Sequence, residues 1–231
     1  MSFGQAIWRI KNQLFPSSSS YIKRLKKKGA VIGDGCMLHC PSMTTIDETD
    51  PHLLTIGDNV QITGPSTILT HDFSWCVIKG VTGEIFGNQR PVTIGNNVFI
   101  GWGVTILCGT TIEDNVIIGA GSVVSGHLYR DSVYAGIPAK KICSLEEYRV
   151  KRKAAQISEA QEYVRQFRNR FNRNPQENEI TEYFSLFANP GQLMQVHLAQ
   201  LHLQNNYALS IEKLESSVKP FESFDSFLES C

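Results

Sequence analysis

The chain reads as a mainly β protein, a parallel β-solenoid with a C-terminal α-helical appendage. Three observations predict this. Residues 94–129 carry six gapless copies of one six-residue pattern, opening at Ile94, Ile100, Ile106, Ile112, Ile118 and Val124. The same phase stands earlier at Ile56, Ile62 and Ile68, and before that at Ile32 and Leu38. After residue 144 the composition changes to Glu, Lys, Arg, Gln and Ala, with no Gly or Pro through residue 172. A repeat of six fits neither the helical period of 3.6 nor the strand period of 2. A coil that turns a tight corner every sixth residue accounts for it.

Each hexad position has a physical task. The aliphatic first position points into the coil. The fifth is small or β-branched (Val98, Val104, Thr110, Val116, Ser122) and fills a narrow space beside it. Gly and Asn mark the corners, because both tolerate positive φ. Three hexads make one 18-residue coil of triangular section, and successive coils stack at roughly 4.8 Å. Ile32 and Ile56 stand 24 residues apart, four hexads, so the phase survives the irregular residues 44–55. Ile68 and Ile94 stand 26 apart, which is no multiple of six. The break is assigned to an inserted loop at 72–91, whose Trp75, Phe86 and Arg90 are suited to packing against something.

Three segments follow: a basic leader at 1–29, the solenoid at 30–143 and a helical appendage at 144–231. In the leader, residues 5–15 are expected to form a short amphipathic helix ended by Pro16 and the Ser17–Ser20 run, and 21–28 to lead, basic and polar, into the first coil. Val133–Pro138 closes the solenoid. Ser144 and Glu147 form a capping box for a helix over 145–172, which Asn174-Pro175 breaks. A second helix is expected over 176–187, with Ile180, Tyr183, Phe184 and Phe187 on one face. Asn189-Pro190-Gly191 breaks it, a third helix is expected over 192–204, and the tail from 216 carries no assignment.

Charge and cysteines narrow the function. The 231 residues hold 22 basic and 22 acidic side chains. This balance excludes general nucleic-acid binding, which needs excess positive charge to release counterions. Residues 1–33 nevertheless contain Arg9, Lys11, Lys23, Arg24, Lys26, Lys27 and Lys28 and no acid. They are read as a solvated cap on the open coil end, or as a peripheral contact with anionic lipid. No apolar run reaches the roughly 20 residues of a membrane span. Residues 1–15 show no signal-peptide pattern, and a cytoplasmic location is expected. The six cysteines lack zinc or redox spacing and are read as reduced.

Thr70-His71-Asp72 stands where the coil ends and the loop departs. A histidine there is exposed in a groove, and an imidazole, with an unperturbed pKa near 6.5, suits proton removal from an alcohol or amine. A structural histidine bonded at a coil corner is the alternative. Asp72 points to the opposite face of the strand from His71. It is therefore read as an acceptor contact or a loop anchor and not as the partner of the imidazole.

The hexads from Ile94 to Val124, followed by Tyr134-Ala135-Gly136-Ile137-Pro138-Ala139-Lys140, resemble the hexapeptide-repeat acyltransferases. The segment from Ile56-Gly57-Asp58-Asn59-Val60 to Leu69-Thr70-His71-Asp72, with Trp75 after it, is similar to the part bearing the catalytic histidine in the sugar O-acetyltransferases of capsule and lipopolysaccharide synthesis. The resemblance covers about residues 24–143. It implies a left-handed coil, a homotrimer with active sites in the grooves between solenoids, and acetyl-coenzyme A as donor without a metal. It implies His71 as the general base for an acceptor hydroxyl of a sugar or glycan. Asp47 falls, across a two-residue gap, on an acceptor-binding aspartate. His39 stands where relatives have asparagine, and Asp72 and Trp75 complete the acceptor set. The family's donor contacts fall on Phe99, Trp102, Ala120, Ser125 and Lys140. Trp102 departs from the small or polar residue usual there, and Cys143 replaces a basic one.

The same residues bear on three other functions. A zinc enzyme would need three converging histidines, and His39, His52, His71 and His127 offer no close pair. A non-catalytic trimeric scaffold would use the helical region to recruit partners. An N-acetyltransferase acting on an amino sugar or xenobiotic would use the same histidine.

Overall fold

The structure, a computed structural model, describes residues 16–231. The expected helix at 5–15, Arg9 and Lys11 lie outside the described residues. Two compact units divide the chain, one extending to Tyr148 and the other covering Arg149–Cys231.

In the first unit the chain visits three parallel sheets in rotation. The first sheet contains Val31–Ile32, Leu54–Ile56, Val92–Ile94, Thr111–Ile112 and His127–Leu128. The second contains Met37–Leu38, Gln61–Ile62, Phe99–Ile100, Val116–Ile118 and Ser132–Ala135. The third contains Thr45–Ile46, Thr67–Ile68, Thr105–Ile106 and Val123–Val124. Lys140–Ser144 folds back antiparallel on Ser132–Ala135 and ends the second sheet. Ile94 pairs with Ile112 and Ile100 with Ile118, the 18-residue offset of one plain coil.

The opening aliphatics of the hexads, Ile94 to Val124, are buried together with Ile32, Leu38, Ile46, Ile56, Ile62 and Ile68. The hydroxyls at fifth positions are buried too, and each returns a hydrogen bond to a carbonyl three residues back. Thr110 Oγ1 donates to Leu107 O (2.5 Å) and Ser122 Oγ to Gly119 O (2.7 Å). A buried hydroxyl left unpaired would be costly, and this bond removes the cost.

One corner is built from Asn59, Asn97, Asn115 and Asp131, all with φ between 54° and 58°. Asn97 Nδ2 donates to Asn115 Oδ1, and Asn115 Nδ2 to Asp131 Oδ1, both at 2.8 Å. Beside it the coils approach too closely for a side chain. A Cβ on Gly57 would lie 2.8 Å from the Gly95 carbonyl of the next coil.

A helix over Ser18–Lys27 covers the first coil. The serines expected to break a helix start this one: Ser17 is its N-cap and accepts from Ser20 N at 3.2 Å. Tyr21 and Leu25 are buried, and the Tyr21 hydroxyl bridges Thr44 O and Ile46 N.

The insertion is ordered as an arm. Ile56 pairs with Ile94, an offset of 38 where a plain coil takes 18, so the arm adds 20 residues. Its root is an antiparallel pairing of His71–Asp72 with Asn88–Gln89, and it carries a helix over Trp75–Thr82 that buries no residue. The inserted loop expected at 72–91 therefore has a strand pairing at its base.

The long helix runs Leu145–Phe171, and the Ser144–Glu147 capping box is present: Ser144 N and Oγ both donate to Glu147 Oε2 at 2.7 Å. The helix expected over 176–187 is replaced by 3-10 turns at Glu177–Glu179 and Phe184–Leu186. A single stripe on a straight helix could not bury Ile180, Phe184, Leu186 and Phe187 together, and the broken backbone does. The helix expected over 192–204 is shorter, Gln195–Leu201, and is followed by Gln204 at φ 66°. Tyr207–Ser216 and Phe224–Glu229 are helices that the sequence pattern did not reveal. Among the described residues no helix is long and apolar enough to cross a membrane.

Truncating a coil-filling side chain tests this interior. Ile100→Ala should destabilise the protein by roughly 2–5 kcal/mol. Urea unfolding followed by circular dichroism measures it, and an unchanged midpoint would contradict a close-packed coil.

Candidate active site

The third sheet delivers two residues to one corner. Ile46 pairs with Ile68, so Asp47, which donates its N–H to Ile68 O at 2.9 Å, lies beside Leu69 and Thr70 of the next coil. His71 follows as the arm departs. Its Nδ1 lies 2.5 Å from Asp47 Oδ2. The imidazole is 32% exposed and the carboxylate 5%, so the pair has one member in the wall and one at the rim. With Nδ1–H donated to the carboxylate, Nε2 keeps its lone pair for another partner.

Asp47 is held by more than the imidazole. Oδ2 also accepts from Thr70 Oγ1 (2.7 Å) and Thr70 N (3.2 Å), and Oδ1 accepts from Thr49 N (2.9 Å). Burial pushes the Asp47 pKa up. The Thr70 hydroxyl, the Thr49 and Thr70 amides and His71 outweigh it and hold the carboxyl well below the usual carboxylate range. Asp47 is thus a buried, ionised group, placed on His71 where the resemblance had placed it on an acceptor. The sequence pattern missed this pairing. The signal was the 22-residue offset between Ile46 and Ile68, which sets Asp47 against the residues just before His71.

Asp72 anchors the arm. Oδ1 accepts from Ser74 N (3.0 Å) and Ser74 Oγ (2.7 Å), and Oδ2 accepts from Asn88 Nδ2. These bonds from Ser74 and Asn88 lower its pKa. Arg90 ties the returning strand down: its N–H donates to Thr70 O (2.9 Å) and its Nε to Asn88 Oδ1 (2.8 Å). Trp75 is half-buried at the start of the arm helix, and Phe73, which the sequence pattern did not single out, stands against it with ring centroids 4.6 Å apart.

The remaining expected residues divide between corners. Ser125 is exposed at the corner of Asp47, two coils further along the stack than Leu69: Leu69 N donates to Ile106 O, and Leu107 N to Val124 O. His39, Trp102 and Ala120 lie at another corner, between the second and third sheets. There Gly121 N donates to Trp102 O (2.7 Å), and His39 Nε2 meets Gln61 Oε1 at 3.0 Å. Trp102 is 52% exposed. Phe99 projects from the second sheet beside that corner, and Lys140 is exposed on its terminal strand. Within one chain, then, the imidazole and most of the expected donor residues occupy different edges of the prism. Among the described residues no group of three or more His, Cys, Asp or Glu side chains could hold a metal ion.

Comparison with known proteins agrees with this architecture. Residues 91–126 match the family described as bacterial transferase hexapeptide (six repeats). Over 101 residues the chain is 41% identical to galactoside O-acetyltransferase of Escherichia coli K12, covering 42% of this chain and 47% of that protein. Over 128 residues it is 38% identical to protein CapG of Staphylococcus aureus, covering 55% of this chain and 73% of CapG. The match thus spans about half the length of the galactoside enzyme. A hexapeptide-repeat-containing acetyltransferase from Vibrio cholerae superposes with a TM-score of 0.45 at 22% identity, over 61% of this chain and 89% of that one. With its hexads stacked in register and with 73% of CapG covered at this identity, the chain belongs to the hexapeptide-repeat acyltransferases.

Proposed function

We propose that the protein moves an acetyl group from acetyl-coenzyme A to a hydroxyl of a sugar or glycan precursor, with His71 as the general base. The observation that carries this is the His71–Asp47 pair, an exposed imidazole oriented by a buried, multiply bonded carboxylate. The hydroxyl proton passes to Nε2 as the acceptor oxygen bonds to the thioester carbonyl carbon. The tetrahedral oxyanion meets a backbone amide. The C–S bond then breaks, and the thiolate takes the proton back from the imidazolium. Asp47 is a positioning residue: it fixes the Nδ1–H tautomer and offsets the positive charge the ring acquires.

The donor would lie along Phe99, Trp102, Ala120, Ser125 and Lys140. Exposed Ala120 and Ser125 let a narrow acyl arm pass near the backbone, and Lys140 meets phosphate as a point charge. His71 and Trp102 sit on different edges of one prism, so a site using both needs a second chain. This favours a homotrimer of left-handed coils, each active site lying in a groove between neighbours. Trp75 and Phe73 offer aromatic faces to a pyranose ring, with Asp72 and His39 as polar partners for its hydroxyls. A reaction that draws on acetyl-coenzyme A would suit the cytoplasm.

Thiol release from acetyl-coenzyme A in the presence of candidate sugars tests the base. His71→Ala should lower kcat by roughly 10²–10⁴-fold, and an unaltered rate would remove the assignment. Asp47→Asn keeps the shape and removes the charge, so kcat should fall while KM for acetyl-coenzyme A holds. An unchanged kcat in that variant would deny the positioning role.

The same carboxylate makes a stability prediction. Its folded pKa is depressed, so its contribution is fully present above the unfolded value of about 3.9 and is lost as pH falls toward the folded value. Urea unfolding should show wild type ahead of Asp47→Asn at neutral pH, with the gap narrowing below about pH 4. A gap independent of pH would contradict an ionised Asp47.

A further inference from the structure

We propose that the capped end of the solenoid docks on an anionic lipid surface. The proposal rests on the trimeric assembly given above. The helix Ser18–Lys27 has two opposed stripes. Tyr21 and Leu25, four residues apart, are buried over the first coil, and Ser18 Oγ accepts from Leu38 N at 2.9 Å. These contacts fix how the helix lies. Lys23, Lys26 and Lys27 share the opposite face at i, i+3 and i+4, and all three are exposed.

The neighbouring acid does not neutralise them. Glu48 is held by Arg24 NH2 and Lys28 Nζ, both at 2.7 Å. Those two pairs fasten the helix to the coil and leave the outer lysine triplet in solvent. The first 33 residues contain no Asp or Glu at all, while the whole chain is formally neutral. The described part of that segment sets Lys23, Arg24, Lys26, Lys27 and Lys28 at one end of the stack.

Symmetry multiplies this end. In a closed three-fold assembly with parallel coil axes, all three capped ends face the same way. Three lysines per chain become nine in one plane. A few lysines attract an anionic bilayer weakly, and a rigid coplanar set engages it together. A flat face fits a bilayer better than a groove-bearing polymer, and the rest of the chain, with 15 basic and 22 acidic side chains after residue 33, repels a nucleic acid. His71 follows the second coil, about 10 Å from the capped end at the usual coil spacing. The reaction would take place close to the headgroups, within reach of a glycan carried on a lipid.

Co-sedimentation of the full chain with phosphatidylcholine vesicles, with and without phosphatidylglycerol, tests this. Light scattering on the same sample gives the oligomeric mass. Binding should require phosphatidylglycerol and disappear at high salt. The triple variant Lys23→Glu, Lys26→Glu, Lys27→Glu should bind roughly tenfold less or worse, with its mass and its activity on a soluble acceptor unchanged. A trimer that ignores anionic vesicles, or a triple variant that binds like wild type, overturns the docking face while leaving the assembly intact. Binding to a short RNA duplex in preference to the vesicles overturns it as well. A single-chain mass overturns the assembly instead.

Discussion

The hydrogen-bonded register between one coil and the next governs this molecule. Each strand is two to four residues long in the coils and could not persist alone. Stacking turns it into a layer of a continuous parallel sheet, with Ile over Ile inside and Asn over Asn at one corner. Where the offset holds at 18, a residue's height and edge follow from its number; between the first two coils it is 22 to 24 and the pairing itself decides. The corner of His71 depends on that pairing. Asp47 reaches His71 because Ile46 lies on Ile68, and a slip of one position would turn the carboxylate to the other face.

The register also explains why the carboxylate can be buried. An isolated buried charge is prohibitive, whereas one accepting several hydrogen bonds is tolerated. The turn after the first coil supplies Thr49 N, and the next coil supplies Thr70 N and Oγ1. None of these donors has to be recruited on substrate binding, so the imidazole is oriented beforehand. Glu113 shows the exposed version of the same device. The Arg130 amide, His127 and the Arg130 guanidinium draw its pKa down to about 2, but it lies at the corner after Thr111–Ile112, where no arm departs.

The coils were legible because their signal is periodic and repeated. One imperfect hexad is outvoted by its neighbours, and the interior accepts only aliphatics at the first position. His71 was legible because it stands where the period fails. Asp47's pairing with His71 was hidden by the irregular first coil, where the offset of Ile46 to Ile68 falls to 22 and a count in sixes gives the wrong neighbour. The second unit was less legible for a different reason. Its core gathers Ala160 and Val164 from the long helix and Ile180, Phe184, Phe187, Leu214 and Phe227 from short helices and 3-10 turns, so past residue 171 no stretch is long enough to display a clear helical period. The Ser17–Ser20 run misled because serine both interrupts and starts helices, and only its position relative to Tyr21 and Leu25 decides which.

The arm leaves and rejoins the stack through adjacent strands, His71–Asp72 and Asn88–Gln89, clasped by Asp72, Asn88 and Arg90. Below it, Ile94 resumes beneath Ile56 as though nothing had intervened. The excursion therefore behaves as a cassette. Its length and tip chemistry can be exchanged without disturbing the foundation, because both ends of the excursion are pinned before the stack resumes.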